Sequence, residues 1–163
     1  MEEVQWLTGR EERAWRALQF MQMRLEGELA RRLAADSGLS YPDYLVLVAL
    51  TDRSDGRLRL FELGDVLGWE KSRASHHVAR MVGRGLVTKE QCPEDRRGFF
   101  VVLTSAGRRA IEAAAPGHVA AVRHLVIDRL DPEQLDVVGA AAEAVLAGLD
   151  ESAHGEADPH ARR

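Results

Sequence analysis

Cysteine is nearly absent from this 163-residue chain; Cys92 stands alone. No disulfide can form within one chain, and no cage of cysteines can hold zinc. A lone thiol suits a reducing compartment. Long apolar runs are missing too. None approaches the ~18 residues of a membrane-spanning helix. The first residues, Met-Glu-Glu-Val-Gln, are acidic and lack the apolar stretch of a signal peptide. A cytoplasmic chain with no membrane partner is therefore expected. Lysine is scarce, with Lys71 and Lys89 set against twenty arginines. Together with the many alanines, this skew reflects a GC-rich genome rather than a function. Catalytic motifs are also lacking: there is no nucleophile elbow, glycine-rich phosphate loop, apolar carboxylate pair or metal triad. An enzyme is not expected, and nothing implies a cofactor or a bound metal.

What is present is the composition of a folded globular protein, 45% hydrophobic and 29% charged. The length predicts a single domain, here residues 1–150, able to bury a core without covalent staples. Residues 151–163 read as a disordered polar tail. The net charge of −4 argues weakly against nucleic acid, but the charge is unevenly spread. Residues 69–97 carry a net +3, which leaves −7 on the remainder. It is the local field of a binding face that matters for a polyanion.

Hydrophobic periodicity predicts a long first helix over 10–35, with Trp15, Leu18, Gln22, Leu25, Leu29 and Leu33 at three- and four-residue steps and Gln22 the one polar interruption. Gly38 stops it, Ser40 caps a second helix over 41–51, and Pro42 sits in that helix's first turn. A short apolar piece at 58–60 precedes a helix over 61–67 ending at Gly68. Another helix runs from 71 or 72 to about 84 and is stopped by Gly85. Strands at 86–92 and 99–104 flank a tight polar loop at 93–98, the pattern of a hairpin. Ser105 caps a helix to about 129, disturbed at Pro116-Gly117, and Asp131 caps the last helix. The fold class is mainly α with a small β-hairpin wing. A winged helix-turn-helix core over 41–104 is flanked by helices at 10–35 and 105–149.

The helix from Ser72 to Arg84 carries the chemistry. At 100° per residue, Ala74, Val78, Met81 and Gly85 share a narrow arc. Arg73, His76, His77, Arg80 and Arg84 fall on the far side with Ser72, and no acid follows Glu70. Short polar residues near a helix N-terminus and arginines along its length suit the major groove of double-stranded DNA. His76 is expected to point at the groove floor, and His77, nearer the flank, at phosphate. The hairpin tip adds Arg96 and Arg97, suited to the backbone or the minor groove, with Asp95 able to orient an arginine or simply to shape the turn.

Residues 63–87, Leu-Gly-Asp-Val-Leu-Gly-Trp-Glu-Lys-Ser-Arg-Ala-Ser-His-His-Val-Ala-Arg-Met-Val-Gly-Arg-Gly-Leu-Val, resemble the helix-turn-helix of the MarR family of bacterial transcriptional regulators. Asp95-Arg-Arg97 and Val102-Leu-Thr-Ser-Ala-Gly107 resemble that family's wing signature, and the likeness extends over roughly 10–149. It implies a recognition helix with Ser72, Arg73, Ser75, His76, His77 and Arg80 toward DNA. It also implies a wing arginine at Arg97 with Asp95 as its acidic partner, and a homodimer joined by the N- and C-terminal helices. Trp69, in the turn, departs from the family pattern and is read as packing locally. Family members often bind small aromatic or phenolic anions. Trp15, Tyr41 and Tyr44 are candidates for such an effector site, or alternatively core aromatics.

The remaining candidates are weaker. Cys92 lies at the base of the wing and reads as a strand-end residue more readily than a redox sensor. Adjacent His76 and His77 diverge on a helix and cannot share an ion; His118 and His124 are similarly ill spaced and read as surface. The expected function is a sequence-specific transcriptional regulator, a repressor, that binds a pseudo-palindromic operator as a homodimer. The alternatives are an architectural DNA-binding protein without effector and a dimeric interaction module.

Overall fold

In the computed structural model, residues 4–92 and 95–156 are described, with backbone alone for 96, 97 and 152–156. The helices are α1 (Gly9–Ser37), α2 (Tyr41–Thr51), α3 (Leu60–Leu67), α4 (Lys71–Gly83), α5 (Ser105–Leu125) and α6 (Pro132–Glu156). The strands are β1 (Arg57–Arg59), β2 (Val87–Cys92) and β3 (Asp95–Leu103). The described residues form two compact units, divided after Ala121.

Local signals set most boundaries. Thr8 and Glu11 close a reciprocal capping box at the start of α1, and Ser40 with Asp43 does the same for α2. Gly38 (φ 70°) and Gly68 (φ 61°) end α1 and α3 in the left-handed region that an L side chain resists. Glu62 accepts the Arg59 N–H at 2.8 Å where α3 begins.

The sheet is antiparallel, ordered β1-β3-β2, with Arg57 opposite Val102 and Val87 opposite Leu103. Cys92 pairs with Asp95, so residues 95–98 belong to β3 rather than to the expected six-residue loop. A register irregularity beside Gln91 and Cys92 absorbs the extra residues. Pro93 and Glu94 lie outside the described residues. The first unit's core is built from Leu47, Leu50, Leu63, Val78, Met81, Val87 and Val101, all fully buried.

Three expectations about the later helices change. Thr104, not Ser105, caps α5: its hydroxyl oxygen accepts the Gly107 N–H at 2.9 Å. Pro116 does not interrupt α5, because one lost hydrogen bond is offset by the alanine-rich turns around it and by burial of Ile111, Ala114 and Ala121. The helix instead ends at Leu125, before a 3₁₀ turn at Ile127–Arg129. α6 is capped by Asp131, whose carboxylate accepts the Gln134 N–H at 2.8 Å. It continues to Glu156, past the expected end at 149, because 151–154 contain no helix breaker. The rest of the tail, 157–163, lies outside the described residues.

Two long helices keep apolar side chains in solvent. In α1 only Leu29 and Leu33 are buried, while Trp15, Leu18, Phe20, Met21 and Met23 are exposed. Along α6, Leu135, Val137, Val138, Val145, Leu146 and Leu149 are exposed.

Candidate nucleic-acid interface

α3, the turn at 68–70 and α4 form a helix-turn-helix, and β2 and β3 form the wing behind it. Gly64 lets the turn close: a Cβ there would lie 3.0 Å from the Trp69 carbonyl oxygen. The Gly64 carbonyl accepts the Trp69 N–H at 2.8 Å. Trp69 is buried in the core, so local packing is its role. The Arg73 guanidinium stacks over its ring at 4.6 Å.

Ala74, Val78 and Met81 face the core as the wheel predicts. Ser72, Arg73, His76 and Arg80 are exposed, and Ser75 is half-buried. His77 corrects the expectation. It is 5% exposed, packed edge-on against Trp69 with ring centroids 5.2 Å apart, and cannot face phosphate. The reason is geometric. His77 lies only ~60° from the centre of the core arc, and α2 supplies a polar partner there. His77 Nε2 stands 3.0 Å from Asp43 Oδ1, close but poorly directed for a hydrogen bond. Its Nδ1 meets Arg80 Nη2 at 2.8 Å. Burial holds the imidazole below its usual range; Asp43 opposes this, and Arg80 and Arg73 add to it.

Arg84 is also redirected. It remains about half exposed, but its guanidinium donates to Asp43 Oδ2 and to the Gly38 carbonyl rather than facing outward freely. Asp43 itself is buried, and the sequence offered no sign of its importance beyond a capping position. Burial raises its pKa, but the Ser40 hydroxyl and backbone N–H together with Arg84 outweigh that and hold the carboxyl below the usual range. One acid thus joins the start of α2 to the flank of α4.

On the wing, Asp95 is exposed, and its Oδ2 lies 2.7 Å from where a Cβ on Gly98 would stand. The side chains of Arg96 and Arg97 lie outside the described residues, so the expected Asp95–Arg97 pairing is not placed. At the wing's base Cys92 is buried. Among the described residues no cluster of histidine, cysteine and acid is placed to hold a metal ion. No described helix is long and apolar enough to cross a membrane.

The aromatic candidates separate. Tyr44 is buried in the core and Tyr41 packs against it. His118, expected at the surface, stacks on Tyr44 at 4.4 Å and lies 6.2 Å from Tyr41. Burial lowers its pKa. The space beside His118, lined by Leu29, Arg32, Leu33 and Asp36, is about 10 Å³, room for one water and not for an aromatic effector. Trp15 is half exposed and lies 18 residues before Leu33, ~27 Å along α1.

A helix-turn-helix with an outward basic face, followed by the two-stranded wing of β2 and β3, defines a winged helix-turn-helix protein. The model of the MarR family matches residues 37–98. AbsC, a MarR family transcriptional regulator from Streptomyces coelicolor, is 36% identical, with 91% of this chain and 99% of that one aligned at a TM-score of 0.84. Sco3205, a MarR family regulator of the same organism solved in complex with DNA, is 41% identical over 91% of this chain and 93% of that one, at 0.86. The transcriptional regulator HosA from Escherichia coli is 35% identical over 78 residues, 48% of this chain; the match spans 56% of HosA. The chain belongs to the MarR family of transcriptional regulators.

Proposed function

We propose that this chain is a sequence-specific DNA-binding repressor that acts as a homodimer. The observation that carries this is the outward face of α4. There Ser72, Arg73, His76 and Arg80 are exposed on a helix that is seated by Ala74, Val78 and Met81 and carries no acid. Such a face offers short donors to base edges and guanidiniums to guanine or phosphate. The relative Sco3205, solved on DNA, supports the reading. The exposed apolar rows of α1 and α6 support a partner of the same kind, since patches of that extent are rarely left in water. A twofold dimer would set two α4 helices about one DNA turn, ~34–36 Å, apart on a pseudo-palindrome.

The experiment is a selection of duplexes from a random library, followed by fluorescence anisotropy at physiological salt. A selected site should bind ~10³-fold or more tighter than unrelated DNA. A ratio near one would replace the repressor with an architectural binder, and no binding at all would leave an interaction module.

A further inference from the structure

We propose that His77, backed by Asp43, is a positioning residue that presets Arg80 for DNA from inside the protein. The inference rests on the DNA-reading role of α4. His77 is buried and touches no outer surface, whereas Arg80, one turn along, is exposed. The two meet at 2.8 Å through Arg80 Nη2 and His77 Nδ1. A guanidinium has only donors, so Nδ1 must be the acceptor and the ring proton must sit on Nε2. Nε2 lies 3.0 Å from Asp43 Oδ1, a close contact between the ring and the carboxylate but poorly directed for a hydrogen bond. Asp43 is itself fixed by the Ser40 hydroxyl, the Ser40 N–H and the Arg84 guanidinium. A row of polar groups in close contact therefore runs from the start of α2, through the core, to the outward flank of α4.

A histidine is an expensive residue for packing alone at this position. An aliphatic side chain would fill the space between Trp69 and α2 without a buried nitrogen that lacks a well-directed partner. The ring instead provides an acceptor, the one kind of group that can hold an arginine by its end. The charged groups facing it are Asp43 from α2 and Arg73 and Arg80 from α4. Burial and the arginines favour the uncharged ring, the form that accepts. With one nitrogen of its guanidinium held, Arg80 has less side-chain freedom to lose on binding, and its remaining N–H groups keep one direction.

The test is a double-mutant cycle on the full-length protein with a duplex selected by the parent from a random library. His77→Leu should weaken binding about tenfold per half-site, in line with loss of preorganisation at one long side chain. His77→Gln, which keeps an acceptor and an amide donor, should recover most of it. In an Arg80→Ala background, His77→Leu should cost nothing further, because the residue acts through Arg80. Equal penalties in both backgrounds, or a His77→Leu variant that binds like the parent, would overturn the inference. If Arg80→Ala itself binds like the parent, the reading of α4 fails first and takes this one with it. A second measurement does not depend on a variant's folding: the imidazole ¹⁵N spectrum of the parent should report the Nε2–H form of His77, and the opposite tautomer refutes the assignment.

Discussion

A Cβ on Gly107 would collide with the carbonyl oxygen of Leu86, so the first turn of α5 lies directly against the chain entering β2. The same Cβ would also crowd Leu103 Cδ1 at 2.9 Å. Backbone on one side and a packed side chain on the other leave little room to yield. Gly107→Ala should therefore destabilise by ~3 kcal/mol, lowering the melting temperature by ~10 °C for a chain of this size. A melt within two degrees of the parent would show that α5 can shift outward freely.

Thr104 secures the same junction. Its oxygen accepts from Gly107, while its proton is shared between the carbonyls of Gly85 and Leu86 at 2.7 and 2.9 Å. Thr104→Val keeps the shape and removes both functions. Loss of the cap alone should cost ~1–2 kcal/mol, read from the urea midpoint. Ser105→Ala should be near neutral, and the reverse ranking would return the cap to Ser105.

Acid should weaken the fold in a window set by histidine. His77 and His118 are both held below 6.5 in the folded chain, so under that pH the unfolded state takes up protons that the folded state resists. Their stabilising effect is complete above 6.5 and is lost as pH falls from 6.5 toward the folded values. Asp43 acts in a lower window, present above 3.8 and lost beneath it. Urea midpoints should be flat from pH 8 to 7 and fall between 6.5 and 5, less steeply in His77→Gln/His118→Gln. A parental midpoint that rises toward acid contradicts this.

The exposed row on α6 predicts a dimer contact. Val145→Glu/Leu149→Glu places two carboxylates among side chains that are exposed in the single chain. Light scattering should give twice the chain mass for the parent and the single-chain mass for the variant, with helical circular dichroism retained. Equal masses for the two proteins would move the dimer contact off this face.

The sequence alone determined the elements and their punctuation, because those are local. Gly38, Gly68 and Gly85 each stand at positive φ where the chain must turn, and Ser40 and Asp131 cap helices through atoms three residues away. The stripe of Ala74, Val78 and Met81 likewise follows from helical period alone. What only the tertiary structure decided depends on neighbours distant in sequence. His77 sits on the border of the buried arc, and Asp43, thirty-four residues earlier, supplied the partner that made burial tolerable. Asp43 reads locally as one half of a capping box, and its second oxygen has no local signature. Thr104 became the cap because Gly85 and Leu86 lie within reach of its proton. Strand pairing absorbed the wing loop into β3, since register is a property of two strands together. A helical wheel orders side chains by angle, but which flank meets water and which meets a neighbouring helix is decided by packing.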